Sequence, residues 1–132
     1  AHLLRSKDAS LLFDSVSRLD NDLLSEIDRL DYRILYGAGR LGVFGAELLP
    51  GYFNVVTDRS IESLTKFPDN IIASKRSLQE LNINSKDAVC FVAITKARLS
   101  PLVSKLRNYG INRSYHIYEL LKIIISKFLL IA

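Results

Sequence analysis

YRILYGAGRLG, residues 32–42, joins a short β-rich apolar run to three closely spaced glycines. The apolar run predicts a buried parallel strand, and the following RLGVFGAELL, residues 40–49, predicts a helix that Pro50 and Gly51 end. Between them, Gly37, Gly39 and Gly42 have the spacing G-x-G-x-x-G. That spacing is a weak signal by itself, and it becomes informative because a strand precedes it and a helix follows.

The rest of the chain repeats this alternation of apolar runs and helical patterns. Alternating strands and helices imply right-handed crossovers and a parallel sheet covered on both faces. We therefore predict a Rossmann-like, three-layer αβα domain over residues 32–132, with five parallel strands in the order 3-2-1-4-5 and a crevice above strands 1 and 4. The further predicted strands are 52–58, 70–74, 87–95 and 114–118, and the further predicted helices are 60–67, 77–81, 98–109 and the C-terminal segment.

Residues 1–31 are predicted to form a separate N-terminal element, an amphipathic helix. Within 9–30, apolar residues recur at gaps of three and four, which makes one helical face that can pack on the domain. A dimerisation or inter-domain helix is the alternative. Because the C-terminal LLKIIISKFLLIA, residues 120–132, is more apolar than one helix on a sheet requires, we predict that one of these two helices forms a homodimer interface or docks to a further domain.

The glycine loop predicts a nucleotide site. Gly37 permits a tight turn, Gly39 lets a phosphate approach the backbone, and Gly42 lets helix and strand pack closely. Free amides at the helix start would face the phosphate. Asp58 ends the second strand about twenty residues after the glycines, where its carboxylate can accept hydrogen bonds from both hydroxyls of a ribose. The predicted loop is Gly37, Ala38, Gly39, Arg40, Leu41 and Gly42. The alternative is that the glycines serve packing only and that Asp58 caps a turn.

Several polar residues are predicted to surround the same crevice. Arg40 lies in the loop, and Thr95, Lys96 and Arg98 follow the fourth strand, so that a cation could stand beside a pyrophosphate. Each of these charges could equally be a solvated loop residue. Arg59 leaves a 2′-phosphate open, although the preceding acid argues for a free ribose.

Composition and charge narrow the partners. The net charge of +4 suits a small phosphorylated ligand. We do not predict nucleic-acid binding, because the bases are scattered and no groove-reading motif appears. No membrane span is predicted, since the longest apolar stretch is interrupted by charges. The single cysteine, Cys90, lies in an apolar run, is expected to be buried, and favours a cytoplasmic location.

No catalytic residue can be assigned from the sequence, and no metal site is expected. His2 and His116 lack Cys, Asp or Glu partners at ligand spacing. Tyr118 and Lys122 have the Y-x-x-x-K spacing of short-chain dehydrogenases, but the start of an amphipathic helix explains the pair as well. Whether the chain is an enzyme is therefore left open.

The segments RILYGAGRLG, NVVTD and DAVCFVAITKARLSPLVSKLRNYGI, within residues 32–121, resemble the Rossmann-like domain on the N-terminal side of FkbM-type methyltransferases. Related domains occur in bacterial nucleotide-sugar acyltransferases and membrane-linked nucleotide-sugar dehydratases. The resemblance implies that Gly37, Gly39, Gly42 and Asp58 bind a ligand. Those relatives have a second acid and a glycine soon after the strand-2 acid, whereas Arg59 follows Asp58 here.

Three functions follow as expectations. The first is binding of a nucleotide or nucleotide-sugar, with NAD or a UDP-sugar as leading ligands and S-adenosylmethionine as a further one, in part of a larger glycan-modifying enzyme. The second is the cofactor domain of an NAD-dependent oxidoreductase. The third is a regulatory domain that senses a nucleotide.

Overall fold

The computed structural model describes residues 19–72, 74–81, 87–94 and 99–131. The strands are β1 (Tyr32–Tyr36), β2 (Val55–Thr57), β3 (Ser74–Lys75), β4 (Ala88–Val92) and β5 (Ser114–His116). These five strands form one parallel sheet in the order β3-β2-β1-β4-β5, which confirms the predicted topology. The pairings on both sides of β1 are parallel, so crossover connections join these strands.

Five α-helices and one 3₁₀ helix surround the sheet in the described residues. Two of the α-helices begin after a capping side chain: Asp20 accepts a hydrogen bond from the amide of Leu23 at 2.8 Å, and Ser60 accepts one from the amide of Ser63 at 3.3 Å. The helices are α1 (Asn21–Ile27), α2 (Arg40–Leu48), α3 (Ile61–Lys66), the 3₁₀ helix (Leu78–Glu80), α4 (Leu99–Arg107) and α5 (Ile117–Ile131).

Only part of the predicted N-terminal helix can be compared with the structure. Within the predicted 9–30, α1 covers Asn21–Ile27, and its Leu24 and Ile27 are buried in the core. Residues 1–18 lie outside the described residues. The division into residues 1–31 and 32–132 therefore stays a prediction.

Two apolar clusters, one on each face of the sheet, make the three layers. Strand residues alternate between the faces, so Leu35 and Phe91 point to one cluster and Ile34 and Cys90 to the other. Buried side chains of α1, α2, α3 and α5 complete the first cluster, and those of α4 and the 3₁₀ helix complete the second. The predicted three-layer architecture is confirmed.

Several strand boundaries were predicted wrongly. The second strand, expected over 52–58, covers only Val55–Thr57, and the third and fifth strands show the reason most clearly. The third strand was expected over 70–74, but pairing begins at Ser74, because the apolar Ile72 that suggested a strand is buried in the core ahead of it. The fifth strand was expected over 114–118, but it ends at His116 and α5 begins directly at Ile117. Apolar content fixes burial in both places, and it does not distinguish a strand from the turn or helix beside it.

The register aligns the carboxyl ends of three strands. Tyr36, the last residue of β1, is the partner of Thr57 in β2 and of Val92 in β4. The segments that leave these strands therefore start at one edge of the sheet, where the strand order reverses and where ligands bind in open α/β sheets. Among the helices in the described ranges, none is long and apolar enough to cross a membrane.

Candidate functional site

The turn after β1 is built on Gly37. Its φ of +111° lies in the region that L side chains rarely adopt. A Cβ at this position would also meet the carbonyl oxygen of Ala93 at 2.7 Å. The amide of Gly37 donates to the carbonyl of Thr57 at 2.9 Å. Gly37 therefore fits the tight turn between β1, β2 and the end of β4.

The other two glycines of the motif differ in their surroundings. A Cβ on Gly42 would lie 1.8 Å from the carbonyl oxygen of Gly37, so Gly42 allows α2 to pack on the turn. A Cβ on Gly39 would meet nothing within 4 Å, and its φ of −85° suits any residue. Packing therefore explains Gly42 and leaves Gly39 unexplained.

The start of α2 presents unpaired donors. Gly39 is the N-cap residue and has no side chain with which to cap the first turn. Among the described residues, no acceptor pairs with the amides of Gly39, Arg40 and Leu41. Such amides, together with the helix dipole, favour an anion at the helix start.

Asp58, directly after β2, holds the glycine loop. Its Oδ2 accepts the amide of Ala38 at 2.7 Å, and its Oδ1 accepts the amide of Ser60 at 2.8 Å. The carboxylate thus ties the end of β2 to both the glycine loop and the start of α3. Each oxygen keeps one further lone pair for a ligand, so the structural role and a binding role are compatible.

A cleft of about 360 Å³ opens beside this anchor, at the carboxyl ends of β1, β2 and β4. Part of its lining comes from the strand ends, at Tyr36, Asp58 and Ile94, and part comes from α4. A volume of this order falls at the lower end of the range for small-molecule sites. The lining residues within the described ranges are Tyr36, Asp58, Arg59, Ile94, Pro101, Leu102 and Lys105.

Two cations and one carboxylate face this cleft. Arg59 and Lys105 come from different elements, and neither has an ion-pair partner in the part of the chain that the structure describes. Burial, and then the negative charge of Asp58, raise the pKa of Tyr36 above its usual value, so its phenol is protonated at neutral pH. The cleft therefore offers two positive charges beside a hydroxyl donor.

The predicted site residues divide into three groups. The first group lies at the cleft or in the turn that Asp58 holds beside it: Gly37, Ala38, Asp58 and Arg59. Gly39 and Arg40 are exposed at the start of α2 beside that anchor, whereas Leu41 and Gly42 face the packed interior of the loop. Thr95, Lys96 and Arg98 lie outside the described residues.

The sequence did not predict five of the residues that line the cleft. Two of them lie at strand ends, Tyr36 and Ile94, and three lie on α4, Pro101, Leu102 and Lys105. Lys105 follows Leu102 by three residues, so the spacing places both on one side of α4, but only the packing of α4 brings that side to the cleft. Tyr36 is the last residue of β1 and comes directly before Gly37, so its place beside the glycine loop follows from the sequence.

His116 has a structural role at the neighbouring strand end. Its Nδ1 accepts the amide of Tyr118 at 3.1 Å, which places the proton on Nε2, where it donates to the carbonyl of Ile94 at 2.8 Å. Burial lowers the pKa of His116, so the neutral ring is favoured. This imidazole fixes Ile94, and with it one side of the cleft.

The Tyr118 and Lys122 pair is explained by its packing. Tyr118 lies against the ring of His116 with centroids 4.4 Å apart, and Lys122 pairs with Glu119 at 2.8 Å. The expected burial of Cys90 is confirmed, and burial raises the pKa of its thiol. Among the described residues, no group of three or more His, Cys, Asp or Glu side chains could hold a metal ion.

The fold and the cleft define a class: a three-layer α/β protein with a parallel sheet and a glycine-rich turn at the point where the strand order reverses. Comparison of the chain with protein-family models, with curated proteins and with solved structures gave no match.

Proposed function

We propose that this protein binds a nucleotide or nucleotide-sugar in the cleft beside Asp58. One observation carries the proposal: a glycine-rich turn, whose amides at Gly39, Arg40 and Leu41 have no acceptor in the described residues, stands next to a strand-end carboxylate and a cleft with two cations that have no ion-pair partner there. Packing requires Gly37 and Gly42, but it does not require a glycine at Gly39. A phosphate approaching the backbone would require one there.

The proposed ligand lies across the carboxyl ends of β1, β2 and β4. Its phosphates approach the amides of Gly39, Arg40 and Leu41, where the α2 dipole favours negative charge. Its ribose lies by Asp58, whose remaining lone pairs accept hydroxyl hydrogens. NAD and a UDP-sugar are the leading ligands, and S-adenosylmethionine is the third.

We assign this chain a recognition role, with the chemistry carried by other parts of a longer protein or by a partner. A glycan- or sugar-modifying enzyme of methyltransferase or dehydratase type is the proposed setting, on the basis of the sequence resemblance. A reducing, cytoplasmic compartment belongs to the same proposal, because the one cysteine is buried and unpaired.

Thermal unfolding with and without ligand tests the proposal. We expect NAD, a UDP-sugar or S-adenosylmethionine to raise the Tm of the wild type, because a ligand that binds only the folded state stabilises it. Gly39→Val fills the open space at the start of α2 and should remove that rise without lowering the Tm of the free protein. Thr65→Val, at an exposed position on α3 that does not line the cleft, is the matched control and should keep the rise. If no nucleotide raises the wild-type Tm, the proposed function is wrong.

A further inference from the structure

Two features of the cleft bear on the sugar end of the ligand. Both oxygens of Asp58 already accept a backbone amide, and Arg59 and Lys105 face the same cleft without an ion-pair partner in the described residues. An acid that binds a free ribose diol usually offers its acceptors to the hydroxyls. Here the acceptors are half used, and the lining groups that have no ion-pair partner in the described residues are cationic.

We infer that the cleft selects a ribonucleotide that carries a phosphomonoester on its ribose over one with a free ribose diol. The inference rests on the proposed nucleotide binding and specifies the chemistry of the same site. The charged groups that line the cleft in the described residues sum to one positive charge, from two cations and one carboxylate. A phosphomonoester is close to dianionic at neutral pH, and it brings oxygen acceptors for both cations.

The two cations differ in what they can do. The guanidinium of Arg59 presents a planar fork that can donate two parallel hydrogen bonds to a phosphate. Lys105 contributes a point charge on a flexible stem from α4. Because they come from different segments, a phosphate between them would link α4 to the loop after β2. The amide of Ser60 and the amide of Ala38 reduce the repulsion that Asp58 would exert on this anion.

The chemistry is shared by ligands with a 2′-phosphate and ligands with a 3′-phosphate. Three adenine nucleotides separate these sources: adenosine 5′-monophosphate, adenosine 2′,5′-bisphosphate and adenosine 3′,5′-bisphosphate. We expect titration calorimetry to show one bisphosphate binding about ten- to hundredfold more tightly than the monophosphate, the gain expected from charge-assisted hydrogen bonds. The preferred isomer then identifies the position of the phosphate.

Variants test whether the two cations cause the preference. Arg59→Ala and Lys105→Ala should each weaken bisphosphate binding by about tenfold and weaken monophosphate binding by a clearly smaller factor, so that the preference for the bisphosphate shrinks in each variant. Arg107→Ala is the matched control, because Arg107 belongs to the same helix as Lys105, is exposed and does not line the cleft. It should change neither bisphosphate nor monophosphate affinity.

The outcomes separate this inference from the proposed function. Equal affinity for all three nucleotides, or a preference that survives in the Arg59→Ala/Lys105→Ala double variant, overturns the inference and leaves nucleotide binding intact. Binding of NAD or a UDP-sugar with no binding of either bisphosphate also overturns the inference and leaves nucleotide binding intact. If no nucleotide binds at all, the proposed function fails, and the inference fails with it.

Discussion

Alanine substitutions at three glycines of one helix give a graded test of the glycine loop. Gly39, Gly42 and Gly45 all belong to α2 or its N-cap, and a Cβ would meet a different obstacle at each. At Gly39 it meets nothing within 4 Å; at Gly45 it meets the Cδ1 of Ile117 at 2.3 Å; at Gly42 it meets the backbone oxygen of Gly37 at 1.8 Å. A side-chain tip can move, but the Gly37 carbonyl is fixed by the turn.

The expected free energies follow from these contacts. Gly42→Ala should lower the free energy of unfolding by roughly 2 kcal/mol, since overpacking costs about 3 kcal/mol and alanine returns up to ~1 kcal/mol of helix propensity. Gly45→Ala should change it by less than about 1 kcal/mol, because an off-rotamer Ile117 offsets the same gain. Gly39→Ala should also stay within about 1 kcal/mol, since the entropy lost by the unfolded chain offsets the weaker N-cap.

Urea unfolding of the ligand-free protein, followed by far-UV circular dichroism, measures all three changes. We expect Gly42→Ala to be clearly the least stable, with a Tm lower by roughly 5–10 °C in a parallel thermal scan. The reasoning would be refuted by a Gly42→Ala variant as stable as Gly39→Ala, because the close contact with Gly37 would then be absent in solution.

Three further predictions concern other parts of the chain. Asp58→Ala should lower the free energy of unfolding by about 1–3 kcal/mol even without ligand, since it strips the acceptor from two backbone amides; an unchanged urea midpoint would contradict the anchoring role. Burial lowers the pKa of His116, so on acidification the imidazole takes up a proton in the unfolded state before it does so in the folded state. The free energy of unfolding should therefore fall as the pH drops below about 6.5. His116→Gln should flatten that part of the pH profile, and an identical slope in this variant would contradict the prediction. We expect light scattering to show self-association, or docking to a further domain, through the N- or C-terminal helix. A stable monomer, together with a shortened protein of residues 32–132 that stays folded and monomeric, would contradict this prediction.

Much of the fold could be predicted because its signals are local. An apolar strand, a glycine turn and a helix follow one another within residues 32–49, and repetition of that pattern leaves few possible topologies. The boundaries of short elements were less predictable. Ile72 and Ile117 are buried whether they lie in a strand, a turn or a helix, so their apolar character could not fix the pairing.

The candidate site was predictable in part for the same reason. Gly37, Gly42 and Asp58 are marked by spacing along the chain. Lys105 reaches the cleft only because α4 packs over the second face of the sheet, which depends on tertiary contacts. The hydrogen bonds from the amides of Ala38 and Ser60 to Asp58 could not be predicted from the sequence either, since the geometry of the loop decides which amides reach the carboxylate.

Backbone amide chemical shifts during a nucleotide titration test the central claim most directly. With ¹⁵N-labelled protein and NAD, a UDP-sugar or S-adenosylmethionine, nucleotide binding predicts that the largest changes cluster at Gly39, Arg40 and Leu41, whose amides lack acceptors in the described residues. Smaller changes should appear at Arg59 and Lys105. Spectra that do not change with any of the three ligands, or changes confined to surfaces away from the glycine loop, would contradict nucleotide binding at this cleft.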